Sequence, residues 1–498
     1  MSRKVLIANR GEIVIRVANT CRKLDIKPYG IFSDADKNSF HIKYCEQALN
    51  IGGSLPSESY LRIDKIIDAA KKLGCDLIHP GYGFLSENAK LAETCNREGL
   101  VFIGPSYQVI DLSGDKVRAR KIASKVAPVV DGGEVSNESG AIDLAEKIGY
   151  PVILKAVQGG GGRGLRIARS LNELKQSFIS SKNESMLSFG SDRIYIERYI
   201  ENPRHIEVQI LADNSSIIQL GERECSIQRR HQKLIEETPS LALTDEMRNR
   251  MTETATAIMK EMKYENAGTV EFLYKEGKFY FMEVNARIQV EHPITEQVTG
   301  IDIVEQQLRI ALGLGLSIKQ TDVKSSGHAI ECRINAEHPI SFAPFSGRIR
   351  KFVIPQGDGV RVDTAMYSGY SIPIFYDSLI AKLVCYGRSR SEVFEKMKSS
   401  LLSFRILDIP STIPFHISAL NDRRFIEGNY DTSFVNNMRP FSSKDGEIAA
   451  AVLSVIPKRF EFITDIDEWQ QRMDPWSRSR FDWIDAFDVH SSTSRWQQ

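Results

Sequence analysis

The sequence predicts a mixed α/β protein (α+β overall) of about three domains, opening with a doubly wound unit on a mostly parallel sheet. Three observations carry this. Strand-length apolar runs alternate with helically spaced segments over residues 1–113. A smaller, charged and glycine-containing unit follows, after which helical and β-like stretches alternate over 204–320. From ISFAPFSGRIRKFVIP onward the pattern is β-rich. A chain of 498 residues, 42% hydrophobic and 26% charged, has the length and composition to bury several cores.

In order, KVLIAN is an apolar run of strand length and GEIVIRVANTCRKLDI has helical spacing. PYGIFSD, CDLIHP and LVFIGPS are further strands, separated by the helices YLRIDKIIDAAKKLG and AKLAETCNREG. Ligands of such sheets sit at the carboxyl ends of the strands, which singles out ANRGE (8–12) and HPGYGFLSEN (79–88). The helix GDKVRARKIASKV leads into a small lobe, about 130–203. Its elements are DGGEVSNESG, the helix AIDLAEKIG, the strand PVILKAV, a glycine run, and the strands LRIAR and RIYIERYI. A helix is expected at SEVFEKMKSSLLSF in the C-terminal β-rich unit. The expected boundaries are 1–113, 114–330, 331–440 and a C-terminal extension, 441–498. All four tryptophans (Trp469, Trp476, Trp483, Trp496) lie in that extension, either docked on their own domain or anchoring a partner.

Several function classes are disfavoured. A net charge of +1 gives no global field for nucleic acid or an anionic membrane. The longest apolar run, near 447–456, is too short to span a bilayer, and MSRKVLIANRGE enters a strand without a secretory h-region. Seven cysteines, with no C-x-x-C pair, argue for a reducing, cytoplasmic setting and buried structural thiols, and against a zinc site or disulfide framework.

Three stretches carry chemistry. In the run after Lys155, Gly159, Gly161 and Gly164 satisfy G-x-G-x-x-G. A strand follows rather than a helix, so this is not a dinucleotide fingerprint, and no Gly-Lys-Ser/Thr follows to make a Walker loop. What remains is a strand–glycine loop–strand with Lys155 and Arg163, either a phosphate-gripping flap or a ligand-free hairpin. In EVNARIQVEHP (283–293), Glu283, Asn285, Arg287, Gln289 and Glu291 alternate with Val284, Ala286, Ile288 and Val290. That is the pattern of a strand with one apolar face, whose beat begins at Tyr280 and Met282. A three-residue loop centred on Gly277 would set Glu271 opposite Glu283. Facing carboxylates repel; a divalent cation would relieve this, and carboxylates with Asn285 suit Mg²⁺. Solvated structural glutamates are the alternative. Beyond them, Arg287 suits a small oxyanion, and Glu291 could take a proton from it. Finally, ERECSIQRRHQKLIEE (222–237) gathers Arg223, Gln228, Arg229, Arg230, His231 and Lys233, as a solvated basic loop or part of an anion site.

Together, ANRGEI, HPGYGFLSEN, FIGPS, GDKV, GGGGRG, ENPRHIEVQ, ERECSIQRRHQK, EVNARIQVEHPITE, ECRINAE, FAPFSGRI and GYSIPIFYDSLIAKL resemble biotin carboxylase, of the ATP-grasp superfamily, over residues 1–440. The resemblance implies an ATP-grasp fold with an N-terminal Rossmann-like domain, a mobile lid lobe and a β-rich C-terminal domain. It implies that ATP is bound by Lys116, Lys155, the lid glycines Gly160, Gly161, Gly162 and Gly164, by Glu197, Arg198 and Ile200, and by His205, Gln228 and His231. Glu271 and Glu283, with Asn285 adjacent, match the ligands of two Mg²⁺ or Mn²⁺ ions. Lys233, Arg287, Gln289 and the Val290 backbone match the bicarbonate site, Glu291 the general base, and Arg333 and Tyr82 the biotin site. Two departures are Gln158 in place of a further glycine and Arg198 where lysine is common.

No carrier-type Met-Lys-Met turn is expected, because Lys396-Met397-Lys398 and Met259-Lys260 read as helix positions. The resemblance therefore implies biotin on a separate carrier protein, a carboxyltransferase partner and a homodimer, with no nucleic-acid or membrane partner. Acetyl-CoA, propionyl-CoA and pyruvate all stay open as acceptors. A different ATP-grasp ligase would share the flap and the acid pair but would not account for Lys233, Arg287, Glu291 and Arg333 together.

Overall fold

The computed structural model describes residues 3–157, 165–189 and 191–438. The lid glycines Gly160, Gly161, Gly162 and Gly164, and the tryptophan-bearing extension 441–498, lie outside the described residues.

The N-terminal unit is a five-stranded, wholly parallel sheet in the order Ala48–Asn50, Lys27–Phe32, Lys4–Ile7, Leu77–His79, Val101–Phe102. Four of its strands match the apolar runs; the edge strand Ala48–Asn50 is short and half-exposed and left no apolar signature. Helix Glu12–Lys23 buries Ile13, Val14, Val17, Ala18 and Cys21, the i, i+4, i+8 stripe its sequence requires. Helix Ala89–Arg97 starts where the Asn88 side chain accepts from the Leu91 N–H. That cap ends the 79–88 loop and fixes Glu87 beside it.

The small lobe is a four-stranded antiparallel sheet, in the order Gly132–Val135, Ile194–Arg198, Val152–Ala156, Arg166–Ala168. Helices Glu138–Ile148 and Leu171–Phe189 flank it around a separate core that includes Val152, Leu154 and Ile196.

One eight-stranded antiparallel sheet forms the rest of the frame. Its order is Lys278–Asn285, Asn266–Lys275, Arg204–Ala212, Ile217–Arg229, Gln232–Thr238, His328–Asn335, Leu379–Gly387, Val360–Thr364. It runs unbroken through strand His328–Asn335, so the central and C-terminal parts share a hydrogen-bonded floor. The helix expected at SEVFEKMKSSLLSF is Arg390–Ser403, with Met397 buried in it; Met259 is likewise buried in helix Asp245–Glu261. All seven cysteines are unpaired and six are buried. No helix among the described residues is long and apolar enough to cross a membrane.

Two expectations about the 271–291 region are corrected. The hairpin turn is two residues long, Glu276-Gly277, both at positive φ (50° and 76°), rather than three residues centred on Gly277. A bulge between Glu271 and Phe272 in the register then restores the one-residue offset, and Glu271 does pair with Glu283. The bulge also switches the buried parity, from Phe279 and Phe281 to Val284 and Ala286. The strand itself ends at Asn285. Residues 286–291 form a loop leading into helix His292–Thr299, whose N-cap position is Glu291. The apolar side chains Ala286 and Ile288 are still buried, which is why the alternation resembled a longer strand.

Candidate active site

Strand pairing builds the floor of the site. Glu283 pairs with Glu271, Glu271 with Glu207, and Glu207 with Arg223. Three carboxylates and a guanidinium thus lie abreast on four adjacent strands, and Glu271, Glu207 and Arg223 are buried. Such a row persists only if each charge is answered. Arg223, fully buried, donates to Glu207 (2.6 Å), Gln209 (2.8 Å), Thr295 (2.9 Å) and Thr269 (3.3 Å).

Lys233 enters from strand Gln232–Thr238 and ends among three carboxylates: Glu207 at 2.5 Å, Glu291 at 2.6 Å and Glu271 at 2.9 Å. Burial alone would lower its pKa, but Glu207, Glu271 and Glu291 outweigh this and hold it well above the lysine range. Glu271 also meets His205 at 2.9 Å and accepts from Asn285 (2.9 Å) and Gln289 (3.2 Å). Burial opposes its charge, yet Lys233 and His205 keep it well below the usual carboxylate range. Its partner Glu283 goes the other way: burial and the neighbouring Glu271 raise its pKa, against Lys116. That asymmetry marks a strained like-charge pair.

Glu291 is fully buried and doubly clasped. One oxygen takes Lys233 and the other Arg333 at 3.0 Å. Burial works against ionisation, but Lys233 and Arg333 hold the carboxyl well below its ordinary range. Arg333 also grips Glu236 through Nε at 2.6 Å. Burial, only partly offset by Arg333, pushes Glu236 up to about 7. In the loop before Glu291, Arg287 donates to Gln289 (2.7 Å), Asn285 (3.1 Å) and Glu87 (2.8 Å), and Glu87 also accepts from the Ala286 N–H (2.9 Å). The N-terminal 79–88 loop thereby holds the arginine of the central sheet.

Toward the small lobe, Lys155 meets Glu197 at 2.5 Å, with Arg120 at 3.4 Å from the same carboxylate. Burial lowers the pKa of Lys116, against the attraction of Glu283. The expected basic loop 222–237 is instead a hairpin turning at Arg230-His231, both at positive φ. His231 sits near Lys155 and His205, and Gln228 lies 3.3 Å from the His205 ring. Arg198 is exposed and its N–H bonds the Asp131 carbonyl. Tyr82 donates to Glu12, which also pairs with Lys382 at 2.9 Å.

Known proteins share this geometry over most of the chain. Residues 1–110 match the biotin carboxylase N-terminal domain and 331–437 its C-terminal domain; 115–319 match the carbamoyl-phosphate synthase L chain ATP-binding domain. Biotin carboxylase 1 of Bacillus subtilis is 48% identical over 442 residues, covering 87% of this chain and 98% of that protein. The chain belongs to the biotin carboxylase family. A pyruvate carboxylase subunit from Methanothermobacter thermautotrophicus is 49% identical over 444 residues, 88% of this chain and 90% of that one. Among solved structures, a Campylobacter jejuni biotin carboxylase–β-γ-ATP complex superposes with a TM-score of 0.86 at 44% identity, covering 88% and 99% of the two chains. The biotin carboxylase domain dimer of Hydrogenobacter thermophilus 2-oxoglutarate carboxylase, in complex with MgADP, ADP and bicarbonate, gives 0.85 at 44% identity, covering 88% and 97%. The mixed α/β architecture of this chain is thus that of biotin carboxylase ATP-grasp structures.

Within this biotin carboxylase fold, Lys233, Glu271, Glu283, Asn285, Arg287, Gln289, Glu291 and Arg333 converge as one network. Lys116, Lys155, Glu197, His205, Gln228 and His231 border it. Sequence reasoning passed over Glu87, Glu207, Glu236, Glu12 and Lys382. A signal for Glu207 was present: His205, Glu207 and Gln209 alternate with Ile206, Val208 and Ile210 on strand Arg204–Ala212, the same parity pattern that singled out 283–291.

Proposed function

We propose that this chain carries out ATP- and bicarbonate-dependent carboxylation of biotin N1′, the biotin being held by a separate carrier protein. The observation that supports this best is the double clasp on Glu291. A buried carboxylate held between a lysine and an arginine, beside Arg287 and Gln289, suits a base working on a small oxyanion.

In this reading Lys116, Lys155 and the lid glycines (Gly160, Gly161, Gly162, Gly164) hold the ATP phosphates. Glu197, Arg198, Ile200, His205, Gln228 and His231 hold the rest of the nucleotide. Glu271 and Glu283, with Asn285, form an oxygen-donor set whose facing acids suit two Mg²⁺ or Mn²⁺ ions. Bound there, the ions would neutralise phosphate charge.

Lys233, Arg287, Gln289 and the Val290 N–H hold bicarbonate, and Glu291 takes its proton. The freed oxygen attacks the γ-phosphorus as the bond to the β-phosphate oxygen breaks, giving carboxyphosphate and ADP. The C–O bond of carboxyphosphate then breaks to CO2 and phosphate, and phosphate takes the N1′ proton of biotin. Arg333 faces the enolate oxygen that forms, and Tyr82 lies near the biotin ring. N1′ then attacks CO2.

The match to nearly the full length of single-activity relatives supports a separate carrier and a distinct carboxyltransferase. The dimer of one relative supports a homodimer, and seven unpaired cysteines suit the cytoplasm. The acyl or keto acceptor is chosen by the carboxyltransferase. The test is ATP hydrolysis by purified protein: bicarbonate should be required and free biotin should stimulate. Turnover indifferent to both would overturn the reading.

A further inference from the structure

Residues 289–291 are gripped from behind by two side chains that the reaction just described does not use. The His292 Nδ1 lies 2.8 Å from the Gln289 carbonyl, and the Lys382 Nζ donates to the Val290 carbonyl at 3.0 Å. His292 and Lys382 are both fully buried. We propose that His292 and Lys382 are positioning residues for bicarbonate, fixing the two peptide planes on either side of Val290 so that its N–H is offered to the anion.

The argument is one of peptide geometry. Both peptide bonds flanking Val290 are trans. A planar trans unit points its N–H opposite to its C=O. The carbonyl of Gln289 is turned to the His292 ring, so the Val290 N–H of that same unit points away from it. Among the described residues, nothing accepts from that N–H. The next unit has its carbonyl fastened by Lys382, so neither plane can rotate without breaking a buried hydrogen bond. An unpaired buried acceptor is costly, so each bond resists the flip that would remove the N–H donor.

The two anchors are themselves fixed. A carbonyl only accepts, so the Nδ1 of His292 carries a proton. Burial, then Lys382, Arg16 and Arg361, hold the ring well below the usual histidine pKa, so it is neutral and its Nε2 is bare. That Nε2 has no hydrogen-bond partner among the described residues. The neighbouring Glu296 carboxylate, 4.0 Å away, is occupied by Arg16 (2.5 Å) and Arg361 (2.9 Å). Lys382 is paired across the sheet with Arg333 and Asp363, and it meets Glu12 at 2.9 Å. Glu12 in turn accepts from Tyr82. The lysine that sets the Val290 peptide is therefore tied to both biotin-side residues, and the bicarbonate donor and the biotin side share one scaffold.

The inference rests on the proposed bicarbonate site, and the test separates the two. Steady-state kinetics of the full-length protein would be measured with bicarbonate, ATP and free biotin varied in turn. His292→Phe keeps a buried ring but loses the donor. The bicarbonate KM should rise about tenfold or more, the loss of one hydrogen bond on a charged ligand, with the ATP KM within about twofold. His292→Asn, whose amide N–H can reach the same carbonyl, should recover most of the loss. Lys382→Met should raise the bicarbonate KM in the same selective way. An unchanged bicarbonate KM in His292→Phe, an equal rise in the ATP KM, or no recovery with Asn would overturn the inference.

Should the variants not fold, ¹⁵N NMR of histidine-labelled wild-type protein decides the same point. The His292 ring should be the Nδ1–H tautomer, and an Nε2–H tautomer would overturn it. Wild-type protein without bicarbonate-dependent turnover would instead remove the proposed function and leave the tautomer measurement standing.

Discussion

The Nζ of Lys233 lies 2.6 Å from a carboxylate oxygen of Glu291, in a site where that carboxylate is fully buried. The same ammonium also meets Glu207 and Glu271. One lysine therefore joins the candidate base, the candidate metal pair and the acid row beneath them. Removing it would leave three carboxylates short of a cation.

The first expected outcome is a stability coupling. Lys233→Met should cost about 3–5 kcal/mol, the usual penalty for breaking a buried ion pair from one side. Glu207→Gln in the same chain should return part of that loss, because one uncompensated charge disappears. Chemical denaturation of both single variants and the double variant checks this; strictly additive losses would mean that the two residues do not interact.

The second concerns Glu283. Burial and Glu271 together raise its pKa, so the pair is poised to accept positive charge. Glu283→Gln should weaken Mg²⁺-dependent nucleotide binding by about tenfold or more, a loss of at least roughly 1.4 kcal/mol. Calorimetric titration of ADP at several Mg²⁺ concentrations reads this directly. An unchanged Mg²⁺ dependence would refute the facing-acid argument.

Glu271 facing Glu283 was legible from the sequence, but for a reason that was only half right. The turn is one residue shorter than its glycine suggested, and a bulge makes up the difference. Turn type follows from local residues; a bulge depends on packing against neighbouring strands and left no local mark. The parallel N-terminal sheet was legible because its strands are buried on both faces and read as continuous apolar runs. Glu87 was not: its partner Arg287 is 200 residues away, and only the tertiary fold brings them together. The extent of the 283–291 strand was misread because a loop that buries alternate side chains imitates a strand's period.

A third outcome follows from Glu87. Its carboxylate holds Arg287 at 2.8 Å and the Ala286 N–H at 2.9 Å. Glu87→Ala frees the guanidinium to swing, and the bicarbonate KM should rise about fivefold to tenfold with little change in the ATP KM. Steady-state kinetics with each substrate varied checks this, and equal effects on both KM values would count against it.

A fourth separates stability from chemistry. Glu237 is buried, and burial opposes its charge. The His328 contact (2.8 Å) and Arg390 (2.7 Å) outweigh this and bring its pKa down to about 2. A carboxylate depressed in the folded state adds stability above its unfolded value of about 4.5, and that contribution is lost as pH falls toward about 2. Glu237→Gln should therefore cost about 3 kcal/mol at pH 7, and progressively less below pH 4.5. Urea denaturation at pH 7 and pH 4 reads the difference. A cost independent of pH would mean that the charge is not what matters.

The most direct test of the central claim is fixation of isotopically labelled bicarbonate into free biotin in the presence of MgATP, by wild-type protein and by Glu291→Gln. Wild type should form carboxybiotin. Glu291→Gln should lose this by about two orders of magnitude or more, the usual worth of a general base, while binding ATP as before. Carboxybiotin formed at the wild-type rate by Glu291→Gln, or none formed by wild type, would contradict the account.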